Sequence, residues 1–356
     1  MHIDHLQPDQ LTAGHLAAWS ALQRADNAVD NPTFCPEFTQ ILAETRNDVE
    51  VAVLREGDRF VGFFPFHRTR RNVGLPIGWL LTDMHGFVAD REVEWDPMRV
   101  VSECGLSAWR FDHLVASQQP FAPYIKAVED APYMDLREGY DAYVAGLRAR
   151  GCSSIKRARS KARKVERELG PLRLELVDRD PTAFDAVIRW KRQQIADMHA
   201  VDMYASEWVI ETLRAACRTE TEGFAGMVSS LYAGDHLIAA QIGMRSHQVM
   251  SAWIPTLNPE FKKFSPGLLF HLELAKHVAP LGIRRVDLGR GQNQLKMSLR
   301  SDGIPLALGA VDRRPVNRIL RHCWYKTRDL VHSTPLNGFP LRFYRRIRGW
   351  SALSSL

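Results

Sequence analysis

The 356-residue chain has no apolar run approaching the ~18 residues needed to cross a bilayer, which argues against an integral membrane protein. Its start, Met1-His2-Ile3-Asp4-His5, lacks a basic region followed by an apolar stretch, so no secretory leader and a cytoplasmic location are expected. Cysteine is scarce: Cys35, Cys104, Cys152, Cys217 and Cys323 are odd in number, widely spaced and free of any Cys-x-x-Cys pair. That pattern excludes a disulfide framework and a cysteine zinc site, and predicts reduced thiols with no metal. No Gly-x-Ser-x-Gly elbow is present, which removes the usual signal for a serine nucleophile.

What is present begins with charge. A chain of this length normally forms two domains, and 45% hydrophobic residues suffice for a packed core in each. The net charge of +6 is concentrated: residues 148–167 hold nine Lys or Arg against Glu166, and residues 313–356 hold ten against Asp329, leaving the remainder acidic. Ser153 to Leu169 has no helix breaker and stops at Gly170-Pro171, which predicts a basic helix between two halves. It reads either as a solvated connector or as a positive wall for the phosphates of a nucleotide sugar, a polyprenyl-linked sugar or CoA. Without interleaved aromatics it is a poor stacking platform for RNA, and no DNA partner is expected.

Ala225 to Tyr232, Leu237 to Met244 and Val249 to Ile254 are apolar, β-prone runs separated by polar turns. Lys263-Phe264-Ser265-Pro266-Gly267-Leu268 then reads as a helix start left open toward an anion. Ser265 suits the cap, Pro266 the first helical position, and Gly267 lets a ligand approach the main chain. Leu269, Leu272, Ala275 and Val278 recur at helical spacing, Gly282 ends the helix, and Arg284 to Leu288 reads as a short buried strand.

This order of elements resembles the GNAT acyltransferase core, in which the pyrophosphate of an acyl-CoA rests on the helix after the fourth strand. Tyr232-Ala-Gly-Asp235, Ser265-Pro-Gly-Leu-Leu269 and Asp287-Leu-Gly-Arg-Gly291 followed by Lys296 resemble the acetyltransferase domain of the CelD/BcsL family. The resemblance implies an α/β fold of tandem GNAT-like domains, with mixed twisted sheets flanked by helices. It also implies transfer of an acetyl or other acyl group from acetyl-CoA to an amino sugar or polysaccharide precursor in exopolysaccharide or holdfast synthesis. Lys263, Ser265, Gly267 and Leu268 would then hold the cofactor.

Such enzymes let the amine attack the thioester directly, so they require a base, oxyanion donors and an acceptor pocket. Asp287, at a strand end beside a Gly-Arg-Gly loop, is the candidate base, with a turn-capping role as its alternative. A backbone N–H between Gln241 and Met244 is the candidate oxyanion donor. Arg290 and Lys296 suit phosphates, Trp253 a sugar platform or a core position, and Asp83 and His85 the acceptor side. Trp190-Lys191 resembles a family motif, or is plain core followed by plain surface. Two further readings are a FemABX-like transferase using aminoacyl-tRNA, and a cyclic di-GMP or membrane-binding effector with a regulated GNAT core.

Leu54 to Arg68 aligns without gaps on Leu231 to Arg245, with the leucine, the turns Gly57-Asp58 and Gly234-Asp235, and the closing arginine at one offset. Duplication is therefore expected: a GNAT-like domain at 1–147, a basic linker helix at 148–170, an acyltransferase domain at 171–312 and a basic segment at 313–356. In that segment Arg314, Arg318 and Arg321 share one helical face and suit a dianion such as cyclic di-GMP. Phe343 to Trp350 alternates cations with apolar groups, as segments peripheral to an anionic inner membrane do.

Overall fold

The computed structural model describes residues 1–291 and 293–314; Arg318, Arg321 and Phe343 to Trp350 lie outside the described residues. The first half runs β1 (His2–Leu6), α1 (Ala13–Ala25), α2 (Pro36–Thr45), β2 (Val49–Glu56), β3 (Arg59–Arg68), β4 (Val73–Pro76), β5 (Val88–Ala89), α3 (Pro97–Glu103), β6 (Ala108–Val115) and β7 (Ile125–Asp135). After α4 (Gly139–Ala149) and α5 (Ser154–Glu168), the second half runs β8 (Leu172–Glu175), α6 (Pro181–Asp197), α7 (Glu207–Arg218), β9 (Ala225–Ala233), β10 (His236–Arg245), β11 (Val249–Leu257), α8 (Pro266–Val278), β12 (Arg285–Asp287), α9 (Gln294–Leu299) and β13 (Asp302–Asp312).

All of these strands join one mixed sheet, ordered β1-β2-β3-β4-β6-β13-β7-β12-β11-β10-β9-β8, with β5 added beside β3. Read from either end the order is the same, except that the last strand of each half crosses to the other: β13 lies against β6, and β7 against β12. The halves expected at 1–147 and 171–312 therefore interlock at the centre. The parallel ladders are β4 with β6 and β11 with β12; each sits where its half returns through a helix to the sheet.

The duplicated hairpins coincide in detail. Gly57 and Gly234 turn with φ of +58° and +55°, the left-handed region that favours glycine. The ladder shifts past Val61 in β3 and past Ile238 in β10, so both copies bulge at the matching residue. At Gly234 a side chain would also strike the Leu169 carbonyl, which closes the turn against the end of α5.

Helix α5 forms because Ile155, Ala158, Ala162, Val165 and Leu169 stripe one face at spacings of three and four among good helix formers. That stripe packs with the buried side of α8 on one face of the second half; α6, α7 and α2 cover the other face. Burial of Leu269, Phe270, Leu272, Leu274 and Val278 anchors α8, each contributing roughly 1.5–3 kcal/mol. Leu274→Ala alone would cost about 2–5 kcal/mol through the cavity it leaves. Among the described residues no helix is long and apolar enough to cross a membrane.

Candidate active site

Strand β11 pairs with β12 only from Val249 to Ser251; from Ala252 to Leu257 it diverges and its edge lines an open cleft. The expected oxyanion strand is corrected here. Gln241 to Met244 lies on β10 with ladders to β9 and β11 on either side, so the edge with free backbone belongs to β11. The cleft encloses about 610 Å³, within the range of roughly 300–1,000 Å³ usual for ligand sites.

Gly267 opens into this cleft from the start of α8. Ser265 precedes it in the left-handed conformation, φ +57°, and makes no side-chain cap; its carbonyl instead accepts the Leu268 N–H at 3.0 Å. Pro266 has no N–H, so the Gly267 N–H is the first-turn donor with no intrahelical partner. Two cofactor expectations are corrected. The side chain of Leu268 is buried in the core, and Lys263 stands outside the cleft lining, its ammonium 3.6 Å from Glu168 on α5 and over the Phe264 ring. Lys262 lines the cleft in its place.

Asp83 and Lys296 meet across the two halves. A side chain on Gly289, whose φ is +72°, would collide with Asp83 Oδ2 and stand 3.5 Å from Lys296 Nζ, so the bare glycine seats the first half's carboxylate in the second half's loop. Lys296 Nζ also donates to the Arg290 carbonyl at 2.8 Å. Lys191 completes the cluster. Burial lowers its pKa while Asp83 pulls it up; Lys296 is lowered likewise by burial, with Asp83 opposing and Lys191 and Arg290 adding.

His271 stands one turn beyond Gly267. Its Nδ1–H donates to the Gly267 carbonyl at 2.7 Å, which leaves Nε2 as the bare acceptor, and burial holds the ring below its ordinary pKa. Trp253 lines the cleft but is only 8% exposed. Its indole N–H donates to the Leu81 carbonyl and its ring meets Phe38 edge-on at 5.8 Å, which makes it a fixed wall and removes the open-platform role.

Four other expected site residues lie elsewhere. Asp287, the expected base, is buried at 2% exposure, held by Arg285 Nε at 2.6 Å and by Asn31 Nδ2 at 2.7 Å, while the same arginine bonds Asp30 at 2.5 Å. Its carboxylate clamps a first-half loop to β12, outside the cleft lining. His85 is buried behind Asp83 and donates to Thr82. Arg290 pairs with Glu129 at 3.6 Å and reaches the Asp112 carbonyl, also outside the lining. Arg314 is held by Asp312 at 2.9 Å. The sequence reading missed His271, the cleft role of Lys191, and Tyr204, which lines the same cleft. The i+4 spacing of His271 from Gly267 was a usable signal; Tyr204 offered none.

The family model described as an acetyltransferase (GNAT) domain matches residues 153–297. Residues 153–297 are thus a GNAT acetyltransferase domain. The protein is accordingly an N-acyltransferase, and most of the cleft just described is lined by that domain, with Leu80, Leu81 and Asp83 brought in from the first half. FemX superposes on the chain with a TM-score of 0.57 at 9% identity, over 90% of this chain and 99% of FemX. The C-terminal domain of a protein described as a lysylphosphatidylglycerol synthetase from Agrobacterium fabrum gives 0.54 at 12%, over 87% and 95%. A tandem GNAT protein from the clavulanic acid biosynthesis pathway gives 0.47 at 10%, over 88% and 99%. At these identities the likeness is one of fold. No curated protein matches the chain.

Proposed function

We propose that the protein transfers an acyl group, acetyl in the first instance, from acyl-CoA to the amine of an anionic amino-sugar precursor of an exopolysaccharide. The observation that carries this reading is the opened edge of β11 facing the bare start of α8, with Asp83, Lys191 and Lys296 converging on the same cleft. The donor fits the residues present: the Gly267 N–H and Lys262 suit a pyrophosphate, and the free edge of β11 can bond an extended amide arm. When bound, the thioester supplies the activated acyl carbon.

The chain's own residues supply the rest. Asp83 takes the proton that the ammonium must lose before it can attack: it reaches the cleft beside Lys191 and Lys296, whereas Asp197, the other acid of the lining, is engaged by the Gln193 amide at 2.8 Å. Lys191 and Lys296 face acceptor phosphate or the developing oxyanion, and their partial burial strengthens that interaction. The decisive experiment incubates the purified chain with acetyl-CoA and a panel of nucleotide-linked and free amino sugars. Acceptor-dependent thiol release supports the reading; no release with any amine, with no CoA binding by calorimetry, removes it.

The aminoacyl-tRNA reading keeps one specific support. Lys156, Arg157, Arg159, Arg163 and Arg167 are exposed on α5, and Lys161 Nζ bonds the Lys263 carbonyl, so a basic surface adjoins the mouth of the cleft. Transfer from charged tRNA with none from acetyl-CoA would favour it. Regulation by cyclic di-GMP or by an anionic membrane through Arg314, Arg318, Arg321 and the segment beyond them is part of the same proposal, tested by binding to the dinucleotide and to anionic vesicles.

A further inference from the structure

We propose that His85, Asp112 and His113 bind a divalent transition cation, zinc by preference, at a site behind Asp83. Asp112 and His113 are neighbours on β6 and would face opposite sides of a regular strand. A bulge prevents this: Leu114 pairs with Ala307 and Phe111 with Gly309, so the two residues together oppose Leu308 alone. One ligand atom from each of His85, Asp112 and His113 then lies within 4.8 Å of the others.

Hydrogen bonding fixes the histidine that matters most. The Thr82 hydroxyl donates to the Ile77 carbonyl at 3.0 Å, so its oxygen accepts from His85 Nε2–H at 3.1 Å. His85 Nδ1 is therefore a bare lone pair. It is buried, makes no hydrogen bond among the described residues, and faces the Asp112 Oδ1 at 3.5 Å. The same oxygen accepts from His113 Nδ1–H at 2.9 Å, so a cation among the three would displace that one proton and at the same time satisfy the buried His85 lone pair.

The spacing suits a small ion. Zinc bonds of about 2.0–2.1 Å to nitrogen and oxygen require ligand atoms about 3.3 Å apart in a tetrahedron. The distances to Asp112 Oδ1, 3.5 Å from His85 Nδ1 and 2.9 Å from His113 Nδ1, bracket that value. The outer partners fit as well, since metal-bound imidazoles offer their second N–H to an oxygen. His85 offers Nε2 to Thr82, and His113 directs Nε2 toward Asp83 Oδ1 at 4.0 Å. The nearby Arg290 cation is offset by Glu129. Two imidazoles and one carboxylate leave a fourth position for water, and the bound ion would pin the loop carrying Asp83 to β6.

The test uses the full chain, stripped with a chelator, dialysed and titrated with Zn²⁺ by calorimetry, with metal content read by atomic emission. The expected result is one tightly held zinc per chain, weakened at least ~10-fold in His113→Gln and in Asp112→Asn, with circular dichroism confirming that both variants fold. Visible d–d absorption of the Co²⁺-loaded wild type, of tetrahedral intensity, gives a readout that needs no variant. Absence of zinc binding by the wild type, or equal uptake by the variants, overturns the proposal; equal uptake would assign the zinc to surface histidines such as His2.

Discussion

The two halves share a hairpin, a bulge and a parallel ladder that opens into a slot, yet they use the slot differently. In the second half the space beside β11 is open, and α8 supplies thirteen residues of helix with a bare first turn. In the first half the chain after β4 turns back into the slot, and His85 bridges to β6 through bonds from its N–H to the His113 carbonyl at 2.8 Å and from the Val115 N–H at 2.9 Å. Helix α3 is only seven residues long, and Phe64, Phe66, Phe87 and Trp109 pack the region. At the matching offset the second half has Gln241 and Gly243 where the first has Phe64 and Phe66. The first slot is filled with aromatic side chains and its own chain. The same segment that plugs it carries Asp83 into the second half's cleft, so the closed slot of one half furnishes the open slot of the other with a carboxylate.

If that division of labour holds, the largest effect belongs to Asp83→Asn. Turnover should fall ~10²-fold or more while CoA affinity stays close to wild type, because general-base catalysis contributes on that scale. Steady-state kinetics with calorimetry on the same preparation checks it. An equal loss in Asp287→Asn accompanied by a lowered melting temperature would fit the clamp seen here, whereas loss with unchanged stability would return Asp287 to the chemistry.

Gly289→Ala sharpens the contact between the halves. The new methyl collides with Asp83 Oδ2 and takes a φ of +72° that L-residues disfavour, together costing about 1–3 kcal/mol in the folded state. Thermal unfolding should register the cost, and activity should fall with it; wild-type behaviour in both would mean that Asp83 does not rest on this loop.

Gly267→Val tests the open slot. The position has no left-handed φ, and a Cβ there would meet the side-chain ends of Leu295 at 3.3 Å and Leu257 at 4.0 Å, so the fold should tolerate the change with a small shift of Leu295. The isopropyl group would still stand over the first-turn N–H, and we expect CoA affinity to weaken about tenfold, equivalent to about 1.4 kcal/mol. Calorimetry showing unchanged affinity in a folded variant would place the donor elsewhere.

How much of this was legible in the sequence depends on the range of the interaction. The strands β9 to β11, the basic helix α5 and the duplicated hairpins were readable because periodicity and turn residues are local. Gly267 and Lys296 were readable as motif positions. Asp287 misled because a carboxylate at a strand end looks the same whether it faces a cleft or an arginine, and its partners Asn31 and Arg285 include one more than 250 residues away in sequence. The strand exchange of β7 and β13 left no trace, since pairing across halves carries no local signal. Ser265 was expected to cap; the turn of helix preceding it, Pro259–Phe264, drives it into the left-handed region instead.

The smallest effect concerns what holds the first slot shut. The Gly78 N–H donates to His67 Nε2 at 3.0 Å, so the ring's other nitrogen carries its proton and donates to Asp48 Oδ1 at 3.0 Å, and Arg46 grips the same carboxylate at 2.5 Å. This chain of bonds ties the start of the plug to the hairpin; the matching residue to His67 in the open half is the apolar Met244. Burial pushes the Asp48 carboxyl upward, but the bonds from His67 and Arg46 outweigh it and hold the pKa well below 3.8. A carboxyl lowered in this way adds stability that is present above its unfolded pKa and lost as the pH falls through the native one. Asp48→Asn should therefore cost about 1 kcal/mol at pH 7, where one charge-assisted bond is exchanged for a neutral one. The gap between wild type and variant should narrow as the pH falls below 3.8. Urea unfolding of both proteins at pH 7 and near pH 3 measures it, and a gap that stays constant would mean that the plug is held by the aromatic packing alone.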